Sequence, residues 1–129
     1  MFSNKELLER AKKAAEKAYA PYSKFRVGAA VLLDDGTVVE GCNQECAAYG
    51  LCMCAERVAL HYAHATYPER RIEKIALYSP SDSNITPCGS CRQVMAELAR
   101  LQNYDFQVIG ENSKTRVSDL LPSSFTLRP

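Results

Sequence analysis

The sequence is short of net charge, of long apolar runs and of low-complexity segments, and each shortage closes off a class of function. Lys and Arg number 16 against 15 Asp and Glu, leaving a formal net charge of +1. Outside the first helical segment and Arg70-Arg71, no stretch gathers basic residues. A chain that grips a polyanion carries a basic footprint, so nucleic acid is not the expected partner and a small, near-neutral substrate is. The longest apolar run, Val27 to Leu33, falls far short of the roughly 20 residues a membrane-spanning helix needs. The chain opens on a Lys/Glu-rich amphipathic segment instead of an apolar leader, which predicts a cytoplasmic, reducing location. There, its 6 cysteines are better suited to metal than to disulfides. The 129 residues predict a single domain over 1–129, large enough to bury roughly two-thirds of its unfolded surface.

Ser3-Asn4-Lys5-Glu6 reads as a capping box, with Ser3 as N-cap. Leu7, Leu8, Ala11, Ala14, Ala15 and Ala18 recur at helical spacing until Pro21 ends the run. Val27–Leu33 reads as a buried strand, and Asp34-Asp35-Gly36 turns it into Thr37–Cys42 as a hairpin. The pattern predicts a second helix from near Cys54 through Ala65, then a strand over Ile72–Ser79 and a polar loop to Pro87. A third helix from Cys88 or Gly89 carries Val94, Met95, Leu98 and Leu101, and Phe106–Ile109 is a further strand. From Arg116 a short strand or turn leads to a short helix through Leu120-Leu121, stopped by Pro122. This order predicts an α/β domain of three layers, a mixed sheet of about five strands flanked by helices.

Cys54-Ala55-Glu56 and Pro87-Cys88-Gly89-Ser90-Cys91 carry the chemistry. Three thiolates can hold a zinc ion and leave its fourth position open, as a catalytic site requires. Both motifs fall at expected strand-to-helix junctions, where the partial positive charge of a helix start favours an anion by roughly 0.3–1 kcal/mol. The same field lowers a thiol's pKa. Glu56, near a ligand but not itself one, can move protons on and off a metal-activated water. Arg57 could donate to the sulfurs and offset their negative charge. Read blandly, Glu56 is a first-turn acid on the helix dipole and Arg57 a solvated helix residue. A Cys/His-x-Glu followed by Pro-Cys-x-x-Cys is nonetheless the signature of zinc nucleobase deaminases, and this chain matches it.

Other cysteines leave alternatives open. Cys52 could join Cys54, Cys88 and Cys91 in a closed four-thiolate structural site, although it should precede the helix start that orients Cys54. Cys42 and Cys46 are expected as small buried side chains. His61 and His64 could bind metal, but a surface or packing role is the expectation.

Longer stretches now point to a family. Tyr22-Ser23-Lys24-Phe25-x-Val27-Gly28-Ala29-Ala30, Gly41-Cys42-Asn43-x-Glu45, Cys54-Ala55-Glu56-Arg57 and Pro87-Cys88-Gly89-x-Cys91-Arg92-Gln93 stand in order along the chain. Together they resemble the cytidine deaminase family, in its small homotetrameric, free-nucleoside branch, over nearly the whole length. The resemblance implies one zinc per subunit on Cys54, Cys88 and Cys91, with Glu56 as proton shuttle and Arg57 bonding the ligand sulfurs. It implies that Phe25 packs on the pyrimidine and that Asn43 and Glu45 hold the ribose hydroxyls. Ala47, Tyr49 and Phe125 match positions that reach a neighbouring subunit's site, so active sites would be shared within the homotetramer. One position departs: Cys46 stands where the family usually has Asn.

The expected activity is therefore hydrolytic deamination of cytidine and 2′-deoxycytidine in pyrimidine salvage. A related aminopyrimidine nucleoside deaminase, such as one acting on blasticidin S, is the alternative, though Phe25 and the Asn43-x-Glu45 pair favour a plain ribonucleoside. A nucleic-acid editing enzyme is disfavoured by the three thiol ligands and the missing basic footprint. A non-catalytic structural zinc domain is the fourth reading.

Overall fold

The computed structural model describes residues 2–127. Helix α1 spans Asn4–Ala15 and starts at the expected capping box. Ser3 Oγ accepts from the Glu6 N–H at 3.2 Å, and Glu6 Oε1 accepts from the Ser3 N–H at 3.0 Å. The helix stops before the expected Ala18. The N–H groups of Glu16, Lys17 and Ala18 bond back only as far as Lys13, Ala14 and Ala15, the tighter 3₁₀ pattern. Tyr19 then donates to the Asn43 carbonyl and accepts from the Glu45 N–H, forming a bridge with Gln44. This lateral partner, invisible to periodicity, draws the chain out of the helix ahead of Pro21.

Five strands follow: β1 Gly28–Leu33, β2 Val38–Cys42, β3 Ile72–Tyr78, β4 Gln107–Ile109 and β5 Lys114–Arg116. They form one sheet in the order β2-β1-β3-β4-β5. β1 runs antiparallel to both β2 and β3, β3 is parallel to β4, and β4 is antiparallel to β5, so the sheet is mixed as expected. β5 lies earlier than the expected Arg116 start because Lys114–Arg116 pair with β4, and α4 (Val117–Leu120) follows at once. Helices α2 (Ala55–Thr66) and α3 (Gly89–Leu101) complete the elements that position the site.

All 6 residues of β1 are buried, because both faces of the sheet are covered. Strand side chains alternate, so Ala30 and Leu32 pack with Leu7 and Ala11 of α1. Ala29, Val31 and Leu33 face the other way, into a core with Ala59 and Leu60 of α2 and Met95 and Leu98 of α3. The result is the expected three layers. Two glycines set how closely the helices lie on the sheet. A Cβ at Gly28 would stand 1.9 Å from the Ala11 carbonyl oxygen, and one at Gly41 would stand 2.7 Å from the Ala59 nitrogen. At both places only glycine lets backbone meet backbone. The second contact presses the first turns of α2 onto β2 and fixes where Cys54 sits. Among the described residues no helix is long and apolar enough to cross a membrane.

Candidate active site

Cys54 is the N-cap of α2 and Cys88 the N-cap of α3, both with extended backbone. Neither side chain caps its helix, so both sulfurs are free to turn toward each other. Cys54 Sγ and Cys88 Sγ are 3.7 Å apart, and Cys88 Sγ lies 3.4 Å from Cys91 Sγ in the first turn of α3. All three sulfurs lie within 4.8 Å of one another. Zinc–sulfur bonds of about 2.3 Å in a tetrahedron put sulfurs about 3.8 Å apart, so the cluster has the dimensions of a three-thiolate zinc site.

Cys52 does not join this cluster. Its thiol accepts from the Cys46 N–H at 3.3 Å and donates to the Cys46 carbonyl at 3.6 Å, so it is engaged elsewhere. That arrangement works against a closed four-thiolate site. Cys42 and Cys46 are only half-buried, a correction to the sequence expectation. Cys42 ends the edge strand β2, where its sulfur accepts from Gln44 Nε2 at 3.3 Å, and Cys46 lies on the wall of a cleft. His61 and His64 are exposed on α2, apart from the thiol cluster.

The electrostatics follow from burial and hydrogen bonding. The Cys54 thiol is held at about 5, first by the hydrogen bond from Cys91 and then by the Arg57 guanidinium and Cys88. Cys91, wholly buried, is pushed up by that same bond to Cys54 and by its burial. The cluster therefore carries its first negative charge on Cys54. Arg57 Nη2 donates to Cys54 Sγ at 3.5 Å, and this bond holds the guanidinium protonated more firmly than usual. Glu56, only 4 % exposed, has its carboxyl pushed up to about 7, first by burial, with the charge on Cys54 adding to it. A carboxyl poised there can take and return a proton near neutrality.

A cleft of about 940 Å³ opens beside the cluster, within the range that small-molecule sites occupy. Cys54, Glu56, Arg57 and Cys88 line one side of it, and Phe25, Asn43, Glu45, Ala47 and Tyr49 also line it. Asn43 Oδ1 accepts from the Val27 N–H at 2.9 Å, while its Nδ2 donates to the Phe25 carbonyl at 2.8 Å. Glu45 Oε1 accepts from the Tyr22 and Ser23 N–H groups at 3.0 and 3.1 Å. Tyr49 opens a short 3₁₀ turn, Tyr49–Leu51, that periodicity did not predict, and its side chain is 88 % exposed. Phe125 lies outside the cleft of its own chain. It is 66 % exposed, and its carbonyl accepts from Gln93 Nε2 at 3.0 Å. Met53, Ile85, Thr86 and Ser90 also line the cleft without having been singled out in the sequence. Met53, Ile85 and Thr86 come from loops that only the folded sheet brings together, so no local spacing signals them.

The family model for the cytidine and deoxycytidylate deaminase zinc-binding region matches residues 1–104. A cytidine deaminase of Halalkalibacterium halodurans is 46% identical over 122 residues, covering 93% of this chain and 92% of the relative. One from Sporosarcina psychrophila is 42% identical over 123 residues, covering 94% of this chain and 90% of its own. Among solved structures, the cytidine deaminase of Burkholderia pseudomallei superposes with a TM-score of 0.85 at 45% identity, over 96% of this chain and 100% of that one.

Proposed function

The chain belongs to the cytidine and deoxycytidylate deaminase family, and from that premise we propose that it hydrolyses cytidine and 2′-deoxycytidine to the uridines and ammonia in pyrimidine salvage. The observation that carries this reading is the buried Glu56 carboxyl, poised at about 7 beside three clustered thiols at a cleft roomy enough for a nucleoside. The donor set and its spacing fit one zinc per subunit on Cys54, Cys88 and Cys91. When bound, zinc lowers the pKa of a water at its open position and so supplies the nucleophile.

The chain's own residues do the rest. Glu56 accepts a proton from the attacking water and delivers it to the ring nitrogen N3, which makes carbon 4 electrophilic. It then passes the second proton to the departing amine, so that water and cytidine leave as uridine and ammonia. Arg57 bonds the Cys54 sulfur and offsets the negative charge that three thiolates impose. Phe25 packs on the pyrimidine, and the remaining acceptor capacity of Asn43 and Glu45 receives the ribose hydroxyls.

The exposed Tyr49, Leu51 and Phe125 support a homotetramer in which Ala47, Tyr49 and Phe125 complete a neighbour's cleft. The single domain over 1–129, a cytoplasmic location and a substrate range without nucleic acid or membrane complete the reading. Cys46 meets the Cys52 thiol through its backbone N–H and carbonyl alone, and the neighbouring Asn43 and Glu45 keep their own bonds. Ultraviolet monitoring of cytidine and deoxycytidine with the purified protein tests the proposal. Loss of the cytidine absorbance with uridine as product supports it, and no change with either nucleoside contradicts it.

A further inference from the structure

Ser23 stands at the centre of the bonds that hold the Phe25 loop. Its hydroxyl donates to Glu45 Oε2 and accepts from the Phe25 N–H, the latter at 3.0 Å. Its own N–H donates to Glu45 Oε1 at 3.1 Å. One side chain thus connects a carboxylate on the cleft wall to the backbone of the aromatic residue. Asn43 fixes the next stretch through the Phe25 carbonyl and the Val27 N–H. Between these anchors Lys24 adopts φ 60°, left-handed backbone that a residue other than glycine keeps only when its surroundings hold it there.

No helix or strand carries Tyr22 to Arg26, so the ring of Phe25 has no ladder of backbone bonds to place it. The Lys24 N–H bonds back to the Ala20 carbonyl at 3.0 Å, and the Phe25 backbone itself is held by the Ser23 hydroxyl and the Asn43 amide. The bonds from Ser23 also hold the Glu45 carboxyl below its ordinary range, with the backbone N–H of Tyr22 acting in the same direction. Glu45 therefore stays an acceptor, oriented by the loop that it anchors.

We propose that Ser23 is a positioning residue that couples the Glu45 carboxylate to the Phe25 backbone, holding the sugar-facing and base-facing groups at one fixed separation. This rests on the nucleoside reading of the cleft. Ser23 has no bond to the thiols or to Glu56, so its contribution falls on substrate binding and not on the proton transfers.

The test compares wild type, Ser23→Ala and Ser23→Thr for kcat and KM with cytidine, zinc content, and amide hydrogen exchange at Phe25. Ser23→Ala is expected to raise KM about tenfold, keep kcat within about twofold, and leave zinc content unchanged. Its Phe25 amide should exchange about tenfold faster. Ser23→Thr, which keeps the hydroxyl, should restore both values. An unchanged KM in Ser23→Ala, a fall in kcat alone, or equal losses in the Thr variant would overturn the proposal. If the wild type deaminates no cytidine, the nucleoside reading falls, and so does the claim about substrate. Faster exchange in Ser23→Ala alone would then still support the clamp, and unchanged exchange would overturn that as well.

Discussion

Glu56 and Glu45 line the same cleft, and their carboxyl groups are driven in opposite directions. Glu56 sits in the first turn of α2, where burial among core residues raises it to about 7. Glu45 sits on a loop, where the Ser23 hydroxyl and two backbone N–H groups lower it. Burial suits the first to carrying a proton near neutral pH, and hydrogen bonds suit the second to accepting in a fixed orientation. The same division runs through the whole site. The thiols and Glu56 stand at the starts of α2 and α3, and α2 lies pressed against the sheet at Gly41. Groups suited to recognition stand on loops, and the most exposed of them, Tyr49 and Phe125, lack a partner surface within their own chain.

Breaking the buried side has the largest expected effect. Cys91→Ser removes a fully buried thiol from the cluster, and zinc content and turnover should fall together, turnover by about a thousandfold or more. Metal analysis beside a cytidine assay checks this, and retained zinc with retained turnover would break the comparison. Dilution probes the exposed side. As the proposed homotetramer separates, activity per chain should fall severalfold in step with dissociation, read by light scattering and assay at matched concentrations. Constant activity through dissociation would return Tyr49 and Phe125 to ordinary surface residues.

The smallest effect sharpens the comparison within one experiment. In metal-free protein, carboxyl resonances should show Glu56 titrating near 7 and Glu45 below its ordinary 4.5. Glu45 binds its proton less tightly folded than unfolded. Its stabilising contribution is therefore complete above the ordinary range and disappears as pH falls through the lower folded value. Glu56 has the opposite sign, because its raised value makes ionisation in the fold costly as pH climbs from 4.5 to about 7. Two carboxyls titrating together near 4.5 would remove the distinction.

What the sequence made legible follows the same division. The clustering of Cys54, Cys88 and Cys91 near Glu56 was readable because helix starts are local features: the two motifs make Cys54 and Cys88 the N-caps of α2 and α3 and put Glu56 and Cys91 in their first turns. The mixed sheet followed from the order of elements, since helices on both faces demand buried strands such as β1. The end of α1 was not readable, because Tyr19 is drawn away by residues 43–45, far along the chain. The role of Ser23 was equally hidden: it depends on Glu45, which only the folded loop brings within reach. Cys52 looked like a possible fourth ligand until its bonds to the Cys46 backbone were visible. Local capping rules reach the chemistry, and long-range contacts decide the recognition.

Glu56→Gln, assayed for zinc and for turnover on the same sample as wild type, tests the central claim most directly. The variant should keep one zinc per chain and nearly the same KM, with kcat lower by about a thousandfold, because only the proton carrier has been removed. Turnover close to wild type, or loss of the metal along with activity, would contradict it.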